Sequence, residues 1–409
     1  MKILLITAYF PPDNGSAAHL FHDLAINLNT SEHEITVITT IPQYHPTGNT
    51  KKYKYKLLVK EHINGINILR IYCPRFEGIF KFGRGLWQVW ASIALSIAAI
   101  CVKRHHISLT YSPPLPLCLA GLLLKKFKKT KCIVNVQDLV PQSIIDLGLL
   151  TNPYLISIFG KLEKTVYSHA DHITVMSEGN RNHVINIQKN DNKVSVVENW
   201  INVPNKHINH NTNTFRQTYN ITESFIILFG GVLGYSQDLD VIIQAARLTI
   251  DRKDILWLII GDGIQKQHLT DLIEEHQLTN IKLLPMMPRE EYNEILSAST
   301  IGLATLKQSV KTPVIPSKIY NCMAFGKPII CMMDPSGDAP KLVTSCQCGI
   351  SLKPGDAEAL AENTMMLVDE PEMRLELSEN GIGYIKDHLN IQNSTLKYLD
   401  IFKNLIENK

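Results

Sequence analysis

Ser317 and Lys318 stand at the head of a segment whose residue types could hold a phosphate. From Thr312 to Cys331 the chain reads TPVIPSKIYNCMAFGKPIIC: a Pro-rich lead-in, a Ser-Lys pair, a helix-length run, a Gly-Lys-Pro stop and an apolar strand. Ser317 is placed to cap the helix, Gly326 to end it in a left-handed conformation and Pro328 to prevent its continuation. The first turn of such a helix carries unpaired N–H groups at a positive dipole end, and Lys318 adds a full charge there. Together they would cradle a phosphate. The plainer alternative is a polar cap on a helix that only packs against a sheet.

Other turns could serve the same chemistry. Pro11-Pro12-Asp13-Asn14-Gly15-Ser16 follows an apolar first run, and Gly15 and Ser16 would let backbone N–H groups approach an anionic or hydroxyl-rich ligand. His19 shares a helix face with His22 beside this loop, where it could contact that ligand or be a satisfied, partly buried histidine. The stretch from Phe229 through Gly230, Gly231 and Gly234 to Gln237 has the glycines of a phosphate loop. It lacks the GxGxxG spacing and downstream acid of a dinucleotide site. Gly261-Asp262-Gly263 is a third strand-to-helix turn, and Met286 and Met287 could line a base pocket or fill a core. Gly, Asn and Asp are also ordinary turn residues.

The elements that must position these residues follow one rhythm. Seven short β-rich runs between Lys2 and Val197 alternate with helix-length segments, the pattern of a mostly parallel sheet covered on both faces. An Asn- and Thr-rich stretch then suits a linker, and six further runs between Phe225 and Leu352 restart the alternation. The expected organisation is a Rossmann-like domain at 1–200, a linker at 201–222, a second Rossmann-like domain at 223–388 and a terminal helix at 389–409. Leu396, Leu399, Ile401, Phe402, Leu405 and Ile406 give that helix an apolar face to lay back on the first domain. The expected fold class is therefore α/β, with two such domains facing a central cleft at the carboxyl ends of their strands.

Bulk properties narrow the function. The 409 residues suit two domains, and 45% hydrophobic with 19% charged residues describe a folded chain. A net charge of +3 gives no reason to expect a nucleic-acid partner. The eight cysteines have no framework spacing, and Cys346 and Cys348 lack the second pair a zinc site needs, so no metal and reduced cytosolic thiols are expected. The start, MKILLITAYFPPD, reads as a buried first strand rather than a leader.

The pieces taken in order resemble glycosyltransferase family 4. The carriers are the glycine loop before Gln237, then IIGDG, ASTIGLATL, PSKIYNCMAFGKPII and CGISLKPGD. In the first half, AYFPPDNGSAAHLFHDLAINL, TYSPPLPLCLAG, VNVQDLVPQS, HITVMSEG and VVENWINVP resemble a branch acting in bacterial surface-polysaccharide assembly that includes L-fucosamine transferases. The resemblance implies the GT-B architecture and transfer with retention, without cofactor or required metal. The donor would be a UDP-sugar and the acceptor a polyprenyl-diphosphate-linked saccharide at the cytoplasmic face of the inner membrane. It makes Lys318 the main stabiliser of the leaving phosphate. Ser317, Gly230, Gly231, Gln237, Gly261, Asp262, Met287 and Asn321 would contact the donor, and Gly15, Ser16 and His19 the acceptor side. Asp138, in VNVQDLVP, would orient the acceptor hydroxyl or offset positive charge on the sugar, unless it merely caps a helix.

Departures matter as well. Where many family members carry two Glu residues, this chain has Pro313 and Asn321, and where they carry Arg and Lys it has Val232 and Gln237. Asn321 can still hydrogen-bond a ribose hydroxyl; Pro313 cannot. The losses shift phosphate stabilisation toward Lys318, the helix dipole and Arg289. They also leave open a UDP-sugar epimerase or hydrolase of the same fold, or a non-catalytic assembly subunit.

One segment suggests a membrane surface. Leu86–Val102 has no charged residue and contains Trp87 and Trp90, with Lys103-Arg104 following. Its length is at the lower edge of a span, and Gln88, Ser92 and Ser96 favour a helix on the sheet or dipping into headgroups. The lysine run Lys125, Lys126, Lys128, Lys129 and Lys131 could add attraction to anionic lipid or simply be a solvated face.

Overall fold

Apolar strand runs that alternate with helices leave both faces of a sheet to be covered, and the chain does this twice. The computed structural model describes residues 1–13, 15–30, 33–42, 50–74, 83–201 and 214–407. They divide into two units, Met1–Trp200 with Ile391–Lys409, and Ile201–Asn390.

The first unit holds β1 (Lys2–Ile6), β2 (Glu34–Thr40), β3 (Leu58–Ile63), β4 (Ile66–Ile71), β5 (Ile107–Ser112), β6 (Lys131–Val136), β7 (His172–Val175) and β8 (Val194–Val196). Their order is β3-β4-β2-β1-β5-β6-β7-β8. Since β1 pairs with β2 on one side and β5 on the other, the winding reverses at β1, and the loop after it opens at the switch point. Along β1, Ile3 and Leu5 enter one core layer while Leu4 and Ile6 enter the opposite one, the period-two alternation of a strand buried on both faces.

β3 departs from the expected pattern. It runs antiparallel to β4, joined through Asn64 and Gly65, both at positive φ (51° and 80°). This is the Asn-Gly turn whose twist matches a hairpin, a signal that was present in HINGIN.

The terminal helix Ile391–Glu407 belongs to this first unit. Tyr398 and Phe402 are buried in the layer of Ile3 and Leu5, with Leu399, Ile401, Leu405 and Ile406 packed around them. The Asn135 side-chain amide donates to the Tyr398 hydroxyl at 2.9 Å, tying the helix to β6. Leu396, expected on that face, is 60% exposed; Tyr398 takes its place because its hydroxyl finds a buried partner.

The second unit holds β9 (Phe225–Gly230), β10 (Ile255–Ile260), β11 (Ile281–Leu284), β12 (Ile301–Thr305), β13 (Ile329–Met332) and β14 (Gly349–Leu352). All are parallel, in the order β11-β10-β9-β12-β13-β14, so the switch point lies at β9. Of the expected linker, 202–213 lie outside the described residues. The remainder is no linker: Thr214–Thr218 is helical, and Phe215 and Ile221 are buried in this unit's core. Arg216 anchors it by donating to the carbonyls of Glu223 (2.6 Å) and Ser224 (3.2 Å).

The uncharged segment forms the helix Gly83–Cys101. Trp87, Ala91, Leu95, Ala98 and Ala99 pack inward, and Ser92 and Ser96 donate to carbonyls one turn back, at 2.7 and 2.6 Å, so the helix absorbs its own polar groups. Among the described residues no helix is long and apolar enough to cross a membrane.

Candidate functional site

In the second unit, the loops at the carboxyl ends of β9, β10, β11 and β12 converge on Lys318. The glycines are there because their neighbours leave no room for a side chain. A Cβ on Gly230 would stand 2.3 Å from the Tyr292 hydroxyl, and one on Gly261 only 1.9 Å from the Gly231 carbonyl oxygen. Gly231 N–H donates to Ile260 at 2.9 Å, and Gly261 N–H to Leu284 at 3.0 Å, so each strand end is latched to the next. Gly231 itself has φ +145° and faces Lys318, whose Nζ would lie 3.6 Å from an added Cβ.

Lys318 lies in the helix Ser317–Ala324, which buries Ile319, Tyr320, Cys322 and Met323 against the core. Its ammonium sits over the Phe229 ring, 3.6 Å from the centroid, and donates to the Gln237 side-chain carbonyl at 3.0 Å. No carboxylate is within ion-pair distance of it among the described residues. Desolvation lowers its pKa to about 7, with the Cys322 thiol acting weakly the other way. A half-buried cation resting on an aromatic face and one amide oxygen is an incomplete arrangement, and an anion would complete it.

The helix ends as expected, with Gly326 at φ +62°. Its start differs: Pro316 occupies the N-cap position, and Ser317 is the first helical residue with an exposed hydroxyl. Pro316 has no side-chain acceptor, so the first-turn N–H groups receive no side-chain cap. Asn321, four residues on from Ser317, is half-buried on the same helix face.

Asp262 serves the scaffold. Its carboxylate accepts from the Met286 N–H at 2.8 Å and pairs with Lys266 at 2.5 Å, and these bonds hold its pKa below the ordinary carboxylate range. Met287 packs against the core, whereas Met286 is 51% exposed, so of the two it is Met286 that faces solvent. Three contributors escaped the sequence reading. Phe229 supplies the ring under Lys318, and Tyr292 presses on Gly230. Lys307 is an exposed cation whose N–H donates to Ser236 at 2.9 Å. Only Lys307 had a readable signal, as the first charge after the apolar run of β12.

The first unit carries the remaining candidates. Asp138 follows β6 and is exposed, yet the protein around it raises its pKa by desolvation. It caps no helix: the next one, Gln142–Asp146, begins after Pro141 without a side-chain cap. Gly15 precedes the helix Ser16–Thr30, its carbonyl accepting from the His19 N–H at 3.1 Å, and His19 is half-buried. Asn14 and the Ser16 side chain lie outside the described residues. His172 is a satisfied structural histidine, 2.9 Å from the Ser195 hydroxyl and lowered to about 4 by burial. None of the eight cysteines is in a disulfide.

The fold recurs in known proteins. Across 99% of this chain and 100% of the other, the structure is similar to Anabaena HepE in complex with UDP, with a TM-score of 0.72 at 13% identity. The chain has the GT-B fold. Within it, residues 211–383 match the family model described as glycosyl transferases group 1. The chain is also similar to a probable glycosyltransferase, WbjE, of Pseudomonas aeruginosa, at 26% identity over 73% of this chain and 74% of that one. A putative colanic acid biosynthesis glycosyl transferase, WcaI, of Escherichia coli is 22% identical over 80% and 82% of the two chains. The matched segment of this GT-B chain contains every residue of the Lys318 cluster.

Proposed function

We propose that the chain is a retaining glycosyltransferase of bacterial O-antigen or capsule synthesis. It moves a sugar, an N-acetyl deoxyamino sugar such as L-FucNAc, from a UDP donor to a lipid-linked saccharide. The observation that carries this reading is the Lys318 ammonium, held over Phe229 beside Gly231 and hydrogen-bonded to Gln237, with no carboxylate partner among the described residues, inside the segment that matches group 1 glycosyl transferases. The similarity to a probable glycosyltransferase, to a putative colanic acid biosynthesis glycosyl transferase and to HepE in complex with UDP supports it.

In this reading the bond between the anomeric carbon and the diphosphate oxygen breaks as the acceptor hydroxyl oxygen bonds to that carbon, with retention. Negative charge grows on the departing phosphate, where Lys318 and the uncapped N–H groups of Ser317–Ala324 offset it. Lys307 adds positive potential at the same strand ends, in place of the cations missing at Val232 and Gln237. Asn321 hydrogen-bonds the ribose, and exposed Met286 covers the base. Asp138, with its raised pKa, takes the acceptor proton or orients the hydroxyl. No step calls on a metal. Contact with the bilayer is assigned to the outer face of Gly83–Cys101, where Leu86, Trp90, Ile93 and Ile97 are each about half exposed. Trp87 is not part of that face; it is buried and stacks on Tyr9.

Thermal unfolding in UDP, GDP and ADP tests the donor assignment. Saturation at a hundredfold excess over Kd adds about 2.7 kcal/mol to the folded state. The expected result is a shift with UDP that Lys318→Ala removes. A shift with GDP alone redirects the donor assignment. The absence of any shift favours a non-catalytic subunit, the alternative raised by Pro313 and Asn321.

A further inference from the structure

The side-chain oxygen that meets the Lys318 ammonium is carried by a turn. Gly234-Tyr235-Ser236-Gln237 closes with the Gln237 N–H on the Gly234 carbonyl at 3.1 Å, the bond of a four-residue β-turn. Its last side chain reaches Lys318, and since an ammonium has donors and no acceptor, the Gln237 atom 3.0 Å away is the amide oxygen. The turn itself lies near the surface, with Tyr235 62% exposed and Gln237 half-buried.

What braces it comes from the neighbouring strand end. The loops after β9 and β10 run side by side: Leu233 N–H donates to the Asp262 carbonyl at 3.0 Å, and Gln265 N–H to the Leu233 carbonyl at 3.1 Å. Gly263, at φ +157°, permits this approach, because a Cβ there would stand 2.4 Å from the Leu233 carbonyl oxygen. Gln265 is thereby 6% exposed, at the N-cap position of the helix Lys266–Glu275, yet its side chain makes no cap bond to that helix. Its amide nitrogen crosses instead to the carbonyls of Gly234 at 2.5 Å and Gln237 at 3.4 Å, the first and last residues of the turn. Both partners are acceptors, so the group facing them is the NH2 with its two donors. One buried amide spans the whole turn.

We infer that Gln265 is the positioning residue for Lys318: by spanning Gly234–Gln237 it keeps the Gln237 amide oxygen on the ammonium and so fixes where that charge points. The inference deepens the glycosyltransferase reading and rests on it only for the phosphate that the charge meets. Gln265 acts through Gln237 and touches no substrate.

Without the brace, the charged amine loses a held acceptor and should give up its proton more readily. Lys318 already titrates at about 7 through desolvation. Of the titratable groups packed around it, the Cys322 thiol is pushed up to about 12 by burial and the Tyr292 phenol is also raised by burial, so both stay neutral near pH 7. Lys327, lowered to about 8 by burial, does titrate in this range.

The first test needs no ligand. Between the folded and unfolded pKa values of Lys318 only the unfolded chain holds the proton, so this group makes stability rise with pH from its folded pKa upward. The quantity read is the Tm of each chain less that of the same chain carrying Lys318→Met, which cancels the Lys327 contribution. In the wild type this difference should begin to rise at about pH 7, and in Gln265→Met at about pH 6, as expected for losing one hydrogen bond to a charged group. Gln265→Ala, which leaves room for water at the two carbonyls, should match Gln265→Met and replaces it if that variant does not fold. Gln265→His, whose Nε2–H stands as many bonds from the backbone, should restore the wild-type onset.

UDP is then titrated calorimetrically at pH 5 and pH 8. Gln265→Met should bind about tenfold more weakly at pH 8, where about a tenth as much of the amine is charged, and as tightly as the wild type at pH 5. An onset unmoved in Gln265→Met and Gln265→Ala, a Gln265→His that behaves like them, or UDP affinity lost equally at both pH values overturns the inference. A wild type that binds no UDP would overturn the donor assignment, and the ligand-free onset would still decide the role of Gln265.

Discussion

The strand-end loops of the two units solve opposite problems. After β9 the chain is crowded: Gly230 and Gly261 sit against Tyr292 and the Gly231 carbonyl with no space for a Cβ, Gly231 is at φ +145°, and a cation is held on an aromatic ring. Ahead of β3 the chain is open, with Lys54, Tyr55, Lys56 and Leu57 exposed. A crowded loop preorganises donors and a desolvated charge, which suits a transition state whose charge is localised on a phosphate. An open basic segment leaves its charges to solvent, where they are screened. The contrast teaches that a cation is desolvated where glycines let the backbone close round it and stays solvated where they do not.

Four experiments break or sharpen that division. Lys318→Ala should reduce transfer by about 100-fold, the usual size of losing one charge-stabilising group. The companion Lys318→Met, which removes a desolvated amine, should raise the Tm of the nucleotide-free protein while abolishing the UDP shift. Near-normal transfer in either would take the chemistry away from the crowded loop. Asp138→Asn should lower kcat by about tenfold or more, with the UDP Kd unchanged. A change in UDP Kd of the same size would move Asp138 out of the acceptor role.

The pH dependence is next in size. The free Lys318 has a pKa of about 7, lowered by desolvation, and a bound diphosphate raises it. Below that value the amine is already charged and gains nothing. From pH 7 upward UDP must bind with uptake of a proton, so affinity falls by up to about tenfold per pH unit until the bound pKa is reached. Calorimetry in buffers of different ionisation enthalpy should register that uptake, and its absence in the wild type would show Lys318 charged throughout. The smallest effect is expected at Asn321→Ala, about fivefold in UDP Kd for one hydrogen bond, with kcat preserved.

Much of this was legible from residue types. The β-branched runs predicted the parallel strands, because a strand covered on both faces must be apolar throughout, and Gly326 marked the helix end because only a residue without Cβ takes φ +62° cheaply. The terminal helix announced its buried face by period. The β3–β4 hairpin was legible in Asn64-Gly65 and passed over because Leu58–Ile63 is mostly exposed, so its alternation carries little apolar signal.

The sequence alone determined the two Rossmann-like halves, the glycine loops at their strand ends and the Ser-Lys helix start, since these depend on local propensity and spacing. Only the tertiary structure decided what those residues touch. Phe229 is 89 residues from Lys318 (318 − 229), and Glu61 rather than solvent takes the charge of Arg70. Met287 turns inward while Met286 turns out, and Lys125 and Lys128 are used by the scaffold while Lys54 and Lys56 are not. Each of these depends on which side chain meets which across the fold, and hydrophobic period and charge count carry no record of that.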